Sequence, residues 1–337
     1  MEHKLEELIK KYRELGIDQQ MDYDKFYLYS IITHSTAIEG STITELENQI
    51  MFDQGISLKG KNLEEQMMNL DLKNAYERSL ELAKEHQDIS IETLKELASL
   101  VMKNTGKVYR TILGDFSSAK GELRLLNVTA GIGGKSYMSY NKVPLKLNEF
   151  CRELNDGRKK VVNQSIQDKY NLSFDAHFHL ATIHPWADGN GRMARLIMNH
   201  IQYENGLVPA KICKEDKEEY IKALVATREE DDLSIFRDYM SKLMIKNLEH
   251  DIEAYLQSTG EADSESRVIP SKSREKKEKS REKILRLLSE SPHLTTTALA
   301  KELGITVKGV EKQLAMLKTE GRLKRIGSPR NGYWEVE

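Results

Sequence analysis

Twelve consecutive residues, His184 to Arg195, have the sequence HPWADGNGRMAR and combine groups that phosphate chemistry uses. Arg192 and Arg195 are three residues apart, so on a helix they share a face and their guanidinium groups can grip phosphate oxygens. Asp188 offers a hard oxygen ligand that suits Mg²⁺. Histidine titrates near neutral pH, so His184 is the candidate general base. The stretch predicts a site for nucleotide phosphates.

Helices must position these groups. The sequence FDAHFHLATI indicates a helix leading to His184, Pro185 prevents its simple continuation, and a second helix begins after the Gly-Asn-Gly turn. Gly189, Asn190 and Gly191 then lie at a helix N-terminus, where unpaired N–H groups and the positive end of the dipole can hold a phosphate. The alternative is a purely structural turn, which the density of polar groups disfavours.

The stretch resembles the Fic family signature, His-x-Phe-x-(Asp/Glu)-Gly-Asn-Gly-Arg-x-x-Arg, with Trp186 in place of the usual Phe. The resemblance extends over roughly residues 25–250 and implies transfer of AMP from ATP to a Ser, Thr or Tyr hydroxyl of a target protein, and of the chain itself. By position, His184 would take the hydroxyl proton and Asp188 would hold Mg²⁺. The residues implied to bind the nucleotide are Gly189, Asn190, Gly191, Arg192 and Arg195.

An acidic residue at a helix C-terminus stands out upstream, in the sequence STAIEGS. Glu39 meets the negative end of a helix dipole there, which is unfavourable. Ser35, Glu39 and Gly40 resemble the inhibitory motif of many Fic proteins, (Ser/Thr)-x-x-x-Glu-(Gly/Asn), whose glutamate pairs with the second signature arginine, here Arg195. The resemblance implies that the chain is inhibited by its own N-terminal helix; a surface Glu before a helix-ending glycine is the alternative.

Glycines and β-prone residues interrupt the helical pattern once in the main body, in GELRLLNVTAGIGGKSYMSYNKVP, and predict a hairpin or ordered flap. The family resemblance implies that residues 131–143 dock the target segment by strand addition. The docking residues would be Gly133, Gly134, Lys135, Ser136 and Tyr137. Tyr220 is a candidate adenine contact, although a tyrosine on an amphipathic helix is more often part of the core.

Composition separates the chain into two parts. The whole chain has 337 residues and two cysteines, too far apart in sequence for a disulfide framework or a cysteine zinc site. Residues 267–337 hold 17 Lys and Arg against 9 Asp and Glu, a net charge of +8, whereas residues 1–266 carry −10. A polar segment between them predicts a linker, with a boundary near Pro270. With no apolar run of membrane length, we expect a cytoplasmic protein without a membrane partner.

The basic C-terminal part resembles a winged helix-turn-helix, with three short helices followed by the strands RLKRIG and GYWEV. Such domains bind DNA or dock proteins, and the charge favours nucleic acid. The candidate phosphate contacts are Lys308, Lys312, Arg322, Lys324, Arg325 and Arg330.

The expected fold is mainly α: a Fic-type helical core with a short β-hairpin flap, and a small C-terminal winged-helix domain of mixed α and β structure. The expected parts are an N-terminal helical region carrying the inhibitory helix at 1–110, a catalytic core at 111–257, a linker at 258–280 and the winged helix at 281–337. ATP is the expected substrate and Mg²⁺ the expected cofactor. The sequence leaves open whether the protein forms a homodimer.

Three other functions are carried alongside AMP transfer. In one, the chain is a DNA-binding regulator whose core senses nucleotide with little turnover. In another it removes AMP from modified proteins. The third is a metal-dependent phosphohydrolase built on His177, His179, His184 and Asp188, although hydrolases usually show several acidic ligands and this window has one.

Overall fold

A computed structural model describes residues 2–130, 135–259, 284–289, 291–292, 294–303, 310, 313–314, 317–318, 321–326 and 333–336. Its contacts divide the chain into two units, Met1–Thr259 and Gly260–Glu337. Across the described ranges, no helix is both long and apolar enough to cross a membrane.

The first unit is helical with one small hairpin. Its α-helices are α1 (Glu2–Glu14), α2 (Tyr23–Ile38), α3 (Glu45–Gln54), α4 (Leu63–Lys84), α5 (Ile91–Val101), α6 (Val143–Val161), α7 (Ile166–Ile183), α8 (Asn190–Glu204), α9 (Lys217–Glu230) and α10 (Leu233–Thr259). Strands β1 (Val108–Thr111) and β2 (Gly114–Ser117) pair antiparallel between α5 and α6.

Helices α7 and α8 lie at the centre because each contributes to both apolar clusters of this unit. Leu180 of α7 and Ile197 of α8 pack in a cluster with α2, α4, α5 and α6. Phe174 of α7 and Met198 of α8 pack in a second cluster with α1, α9 and α10. Surrounded in this way, the turn that joins α7 to α8 is held by a rigid scaffold.

Side-chain caps fix several helix starts. Thr44 and Glu47 form a capping box at α3, and Ser90 caps α5 through the N–H of Thr93. Helix α5 ends at Val101.

The hairpin β1–β2 corrects a second expectation, that the flap is the one non-helical element of the body. Its strands pair in a register that places Tyr109 opposite Phe116, whose rings stack 5.0 Å apart. Four-residue strands give a weak alternating pattern, which explains why the sequence did not reveal them.

The second unit contains the expected winged-helix elements. Residues 284–289 are helical, α11 spans Thr296–Leu303, and strands β3 (Leu323–Ile326) and β4 (Tyr333–Val336) pair antiparallel. Ile284, Leu299, Leu317 and Trp334 belong to its apolar core. The predicted fold class, a mainly helical body with a small C-terminal domain of mixed α and β structure, is confirmed. Pro270 and most of the expected linker lie outside the described residues, and residues 258–259 complete α10.

Candidate active site

The turn between α7 and α8 carries the signature residues. His184 ends α7 in the left-handed conformation, with φ 53°, and its N–H donates to the Leu180 carbonyl. Gly189 precedes α8 with φ 82°, and a Cβ there would lie 2.8 Å from Sδ of Met102. The left-handed backbone conformation favours glycine at this position, and a side chain would also force Met102 to move.

Asn190 fixes the shape of this turn with its side chain. Its Oδ1 accepts from the Trp186 N–H at 3.0 Å, and its Nδ2 donates to the Trp186 carbonyl at 2.8 Å. The fully buried Trp186 ring donates in turn from Nε1 to the Gly121 carbonyl at 3.0 Å. Trp186 is therefore accommodated in place of the usual Phe, because the N–H of its indole ring has an acceptor. Because both polar atoms of the Asn190 side chain bond to Trp186, the group that this residue can offer a ligand is its backbone N–H.

Arg124 holds the backbone around His184 in place through hydrogen bonds, a role that was not predicted from the sequence. Its guanidinium donates to the carbonyls of His184 (2.8 Å), Leu126 (2.8 Å) and Met138 (2.5 Å), and its backbone N–H donates to the Pro185 carbonyl. Burial lowers the pKa of Arg124. An arginine within the apolar sequence LRLL is the signal that could have identified it, because a buried charge needs dedicated partners.

The surroundings of the His184 ring favour its neutral form. Its Nδ1 lies 3.3 Å from the Ala181 carbonyl, and donation along this line leaves Nε2 unprotonated. The Tyr137 ring stacks on the imidazole with centroids 3.7 Å apart. Burial lowers the pKa of His184 to about 4, assisted by the positive charges of Arg124 and Arg228 and opposed by the bond to Ala181. The ring is therefore neutral at physiological pH.

Tyr137 belongs to the expected flap, whose described part forms a hairpin. Residues 128–130 pair with 135–137 through Ala130 N to Lys135 O (3.1 Å) and Tyr137 N to Val128 O (3.0 Å). Lys135 pairs with Glu229 of α9. Ser136 pairs with Thr129. Gly133 and Gly134 lie outside the described residues. The flap thus covers the candidate base through one aromatic ring.

Arg195 is engaged by the C-terminal end of α2. Its Nε donates to Ser35 Oγ at 2.8 Å, and its Nη2 donates to the Ser35 carbonyl at 3.0 Å and to Glu39 Oε1 at 2.6 Å. A Cβ on Gly191 would lie 2.8 Å from the same Glu39 oxygen. The Glu39 carboxylate therefore rests on the first turn of α8, where the sequence predicted a phosphate.

Local contacts hold Glu39 in this position. Burial raises the pKa of its carboxyl group, but the charge and hydrogen bond of Arg195 outweigh burial and lower the pKa overall. Lys217 donates to the Ile38 carbonyl at 2.6 Å, which satisfies the end of α2. Gly40 follows with φ 108°, a conformation that favours glycine. The unfavourable helix-end position of Glu39 is compensated by an arginine.

Arg192 and Asp188 face each other at the start of α8. Arg192 Nη2 lies 3.6 Å from Asp188 Oδ1 and 3.1 Å from Met102 Sδ, while Asp188 Oδ1 also accepts from the Gly189 N–H at 2.6 Å. The Asp188 side chain is 61% exposed. One accessible carboxylate beside a phosphate cradle fits Mg²⁺, which keeps most of its ligands as water and phosphate oxygens.

Tyr220 corrects the expected adenine contact. The residue is fully buried, and its hydroxyl bonds to His177 Nε2 at 2.9 Å and to Arg195. Tyr220 therefore lies behind Arg195 in the core, as the alternative interpretation held, because the face of α9 that carries it packs against α7 and α10.

The metal-dependent hydrolase is not supported by the geometry. His177 is fully buried, and burial lowers its pKa to about 3, whereas His179 lies exposed on another face of α7. In the described part of the chain, the three-residue group with metal-ligand geometry consists of His34, Cys213 and Glu215. None of the four ligands expected for a hydrolase belongs to this group.

The second unit places some of its expected phosphate contacts on the β3–β4 ribbon. The Arg325 guanidinium lies 4.6 Å from the Trp334 ring centroid, and Lys324 is opposite Glu335 in the register. Arg322 directly precedes β3. Lys308, Lys312 and Arg330 lie outside the described residues.

The fold and site define a helical protein with a histidine beside a glycine-rich helix N-terminus. A profile of the Fic/DOC family matches residues 88–202, and a profile described as winged helix-turn-helix DNA-binding matches residues 277–324. The chain therefore contains a Fic/DOC family domain and a winged helix-turn-helix domain.

Curated relatives agree with this assignment. The chain is 27% identical over 209 residues to protein adenylyltransferase fic-1 of Caenorhabditis elegans, covering 61% of this chain and 37% of the relative. It is 29% identical over 203 residues to protein adenylyltransferase Fic of Drosophila melanogaster, covering 59% and 37%. The matches thus span little more than a third of each relative.

Solved structures show the same fold. A Fic domain containing signaling protein from Bacteroides thetaiotaomicron superposes with a TM-score of 0.61 at 22% identity, covering 75% of this chain and 96% of that one. Fic-1 (residues 134–508) from C. elegans gives a TM-score of 0.59 at 25% identity, with coverage of 76% and 72%.

Proposed function

We propose that this chain is a protein adenylyltransferase that moves AMP from ATP to a Ser, Thr or Tyr hydroxyl, and that Glu39 inhibits it. The observation that carries the proposal is the contact of the Glu39 carboxylate with both Arg195 and the Gly191 position. A carboxylate held at the start of α8 occupies an anion site, and the groups around it suit a nucleoside triphosphate.

His184 begins the reaction as general base. Its unprotonated Nε2 takes the proton of the target hydroxyl, and the oxygen attacks the α-phosphorus of ATP. The bond from this phosphorus to the oxygen bridging to the β-phosphate breaks, and pyrophosphate leaves. Nδ1, held by the Ala181 carbonyl, keeps the ring in the tautomer that this step needs.

The start of α8 stabilises the anions. The backbone N–H groups of Asn190 and Gly191 would bind the phosphates, whereas the N–H of Gly189 donates to Asp188 Oδ1 and Gly189 shapes the turn. Arg192 and Arg195 would orient the β- and γ-phosphates. Mg²⁺, held by Asp188, would neutralise phosphate charge. The Trp186–Asn190 bonds keep the turn in shape before substrate arrives, so little reorganisation accompanies the reaction.

Inhibition follows from occupancy of Arg195. While Glu39 holds this arginine, the γ-phosphate loses a ligand and meets a carboxylate, so the α-phosphorus is not held in line for attack. The chain would then stay inactive until α2 releases its glutamate.

Two labels on ATP test the activity. Full-length Glu39→Gly protein is incubated with Mg²⁺ and ATP labelled at the α- or the γ-phosphate, with the protein itself and a cell extract as acceptors. We expect only the α label to be retained on protein, and Glu39→Gly/His184→Ala, the matched control, to retain neither label while binding a fluorescent ATP analogue normally. Retention of the γ label would replace AMP transfer by phosphate transfer. Nucleotide binding without any labelling would favour the nucleotide sensor.

For the C-terminal domain we propose DNA binding that brings the catalytic unit to its target. The support is the +8 charge of residues 267–337 and the winged helix-turn-helix match.

A further inference from the structure

Three side chains that ligate metals lie together outside the signature turn. His34 belongs to α2, and Cys213 and Glu215 lie in the segment before α9; one ligand atom of each is within 4.8 Å of the other two. Ligands of a tetrahedral ion with bonds near 2.0–2.3 Å are separated by roughly 3–4 Å. Small side-chain rotations would therefore bring the three atoms onto one ion.

The ligand types point to zinc. A thiolate, an imidazole and a carboxylate match the N, S and O donors that Zn²⁺ takes, whereas Mg²⁺ and Ca²⁺ prefer oxygen alone. Cys213 is partly buried, the His34 side chain is 23% exposed and Glu215 is exposed. The group is accessible to an ion from solvent, and water can complete the coordination.

A neighbouring carboxylate orients the histidine. Glu45 Oε1 lies 3.2 Å from His34 Nε2 and accepts from Ser30 Oγ at 2.5 Å. A ligating histidine is commonly held in this way by a carboxylate. The amino group of Lys211, which donates to Ser30 Oγ at 3.2 Å, is the opposing positive charge nearby. The carboxylates of Glu45 and Glu215 oppose this positive charge.

The position of the group gives the ion a role. His34 directly precedes Ser35, which binds Arg195, and lies five residues before Glu39 on the same segment. Cys213 and Glu215 directly precede α9, whose first residue, Lys217, donates to the Ile38 carbonyl. An ion bound here would cross-link the end of α2 to the segment that already contacts it.

We propose that His34, Cys213 and Glu215 form a zinc site that fixes the end of α2 to the segment before α9 and keeps Glu39 on Arg195. The site itself is independent of the enzymatic activity, whereas its inhibitory role rests on the proposed function. Because an ion that binds only the docked arrangement stabilises that arrangement by mass action, zinc would deepen inhibition.

Metal titration tests the site without any activity. Full-length protein stripped with a chelator is titrated with Zn²⁺ and with Co²⁺, whose thiolate complexes absorb light. We expect one ion per chain, a cobalt–thiolate band and a higher melting temperature. Since loss of a supporting partner costs ~10–100-fold in affinity, loss of a ligand should cost at least ~100-fold. Cys213→Ser and His34→Gln should therefore bind that much more weakly, whereas Cys151→Ser, the control, should match wild type.

Stoichiometric binding that is unchanged in Cys213→Ser and His34→Gln, or no binding in folded wild type, would overturn the site. Should Cys213→Ser fail to fold, His34→Gln alone decides. The activity arm compares α-label incorporation with and without zinc: we expect a lower rate in wild type and no change in Cys213→Ser. Binding without any effect on an active enzyme would overturn the inhibitory role and leave the site.

Discussion

Glu39 Oε1 and Arg195 Nη2 lie 2.6 Å apart although 156 residues separate them in the sequence. Arg195 is almost completely buried, whereas 35% of the Glu39 side chain is exposed. The contact therefore closes the outer side of the anion cradle. A phosphate that approaches Gly191 must displace this carboxylate, so the pair couples the position of α2 to access to the first turn of α8.

Removing the carboxylate should activate the chain. We expect Glu39→Gly to raise AMP transfer by about 100-fold, because misplacement of reacting atoms near 1 Å costs a factor of this order and the variant restores Arg195 to the γ-phosphate. Arg195→Ala should stay slow, since it releases the inhibitor and also removes a phosphate ligand. The double variant should resemble Arg195→Ala. The measurement is the initial rate of α-label incorporation at saturating ATP and Mg²⁺.

Glu85→Gly provides a matched acidic control, because Glu85 is the exposed C-cap of α4 just as Glu39 is the C-cap of α2. Thermal melting checks folding. Equal rates for wild type and Glu39→Gly would refute inhibition by Glu39. A lower rate of AMP removal from a modified target in Glu39→Gly would favour the AMP-removing enzyme and assign the carboxylate a role in positioning water.

The parts of the site that are contiguous in sequence could be predicted. The signature turn and the capping boxes depend on residues three or four apart, so spacing alone fixes their relationship. Ser35 and Glu39 were associated with Arg195 only through a family motif, since no local rule joins residues so distant in the chain.

Contacts that depend on the tertiary structure could not be predicted. Arg124 reaches three carbonyls on two segments, and Tyr137 lies on His184 only because the flap folds back. The burial of Tyr220 depends on which face of α9 meets α10, and a short amphipathic pattern does not fix that. His34 and Cys213 lie close together in the fold although they are far apart in the sequence.

The basic C-terminal domain should bind DNA with strong salt dependence. We expect full-length protein to bind a random duplex weakly at low salt, and a chain ending at Thr259 to lose this binding. Each phosphate contact contributes about −0.9 to the slope of log K against log salt concentration, so Lys324→Ala should reduce the slope by about one. Lys4→Ala in the first unit is the control, and fluorescence anisotropy is the measurement. Absence of binding at low salt would favour a protein-docking domain.

Three buried histidines should make the first unit sensitive to acid. Burial lowers the pKa of His177 to about 3 and the pKa values of His184 and His200 to about 4. Near pH 5–6.5 the unfolded chain binds protons at these positions and the folded chain does not, so the free energy of unfolding falls as pH falls. Each histidine contributes up to about 1.4 kcal/mol per pH unit.

Urea unfolding of Trp334→Phe, whose remaining tryptophan is Trp186, follows this unit alone. His200→Gln in this background should lower the slope of unfolding free energy against pH, and the exposed His250→Gln should leave it unchanged. Asp71 and Asp251, whose pKa values burial raises, act in the opposite direction at the acid end of the range. A slope that stays the same in His200→Gln would contradict the prediction.

The acid limb of the rate profile should reveal the environment of His184. The base must be unprotonated, and kcat/KM reports the pKa of the free enzyme. With a pKa of about 4, His184 stays almost fully neutral at pH 6, where an ordinary histidine with a pKa near 6.5 is only about one quarter neutral. In Glu39→Gly, kcat/KM should therefore hold nearly constant from pH 8 to 6.

Removing the Tyr137 ring should shift the acid limb of the kcat/KM profile to higher pH. In Tyr137→Ala the imidazole gains water, so its pKa should rise towards the ordinary value and kcat/KM should fall between pH 7 and 6. Tyr137→Phe keeps the stacked ring and should retain the original profile, which separates titration of His184 from titration of ATP because the substrate is the same. Weaker target docking would lower the rate at every pH without shifting the limb. If Tyr137→Ala and Tyr137→Phe share one profile, the tyrosine ring does not shield His184 during catalysis.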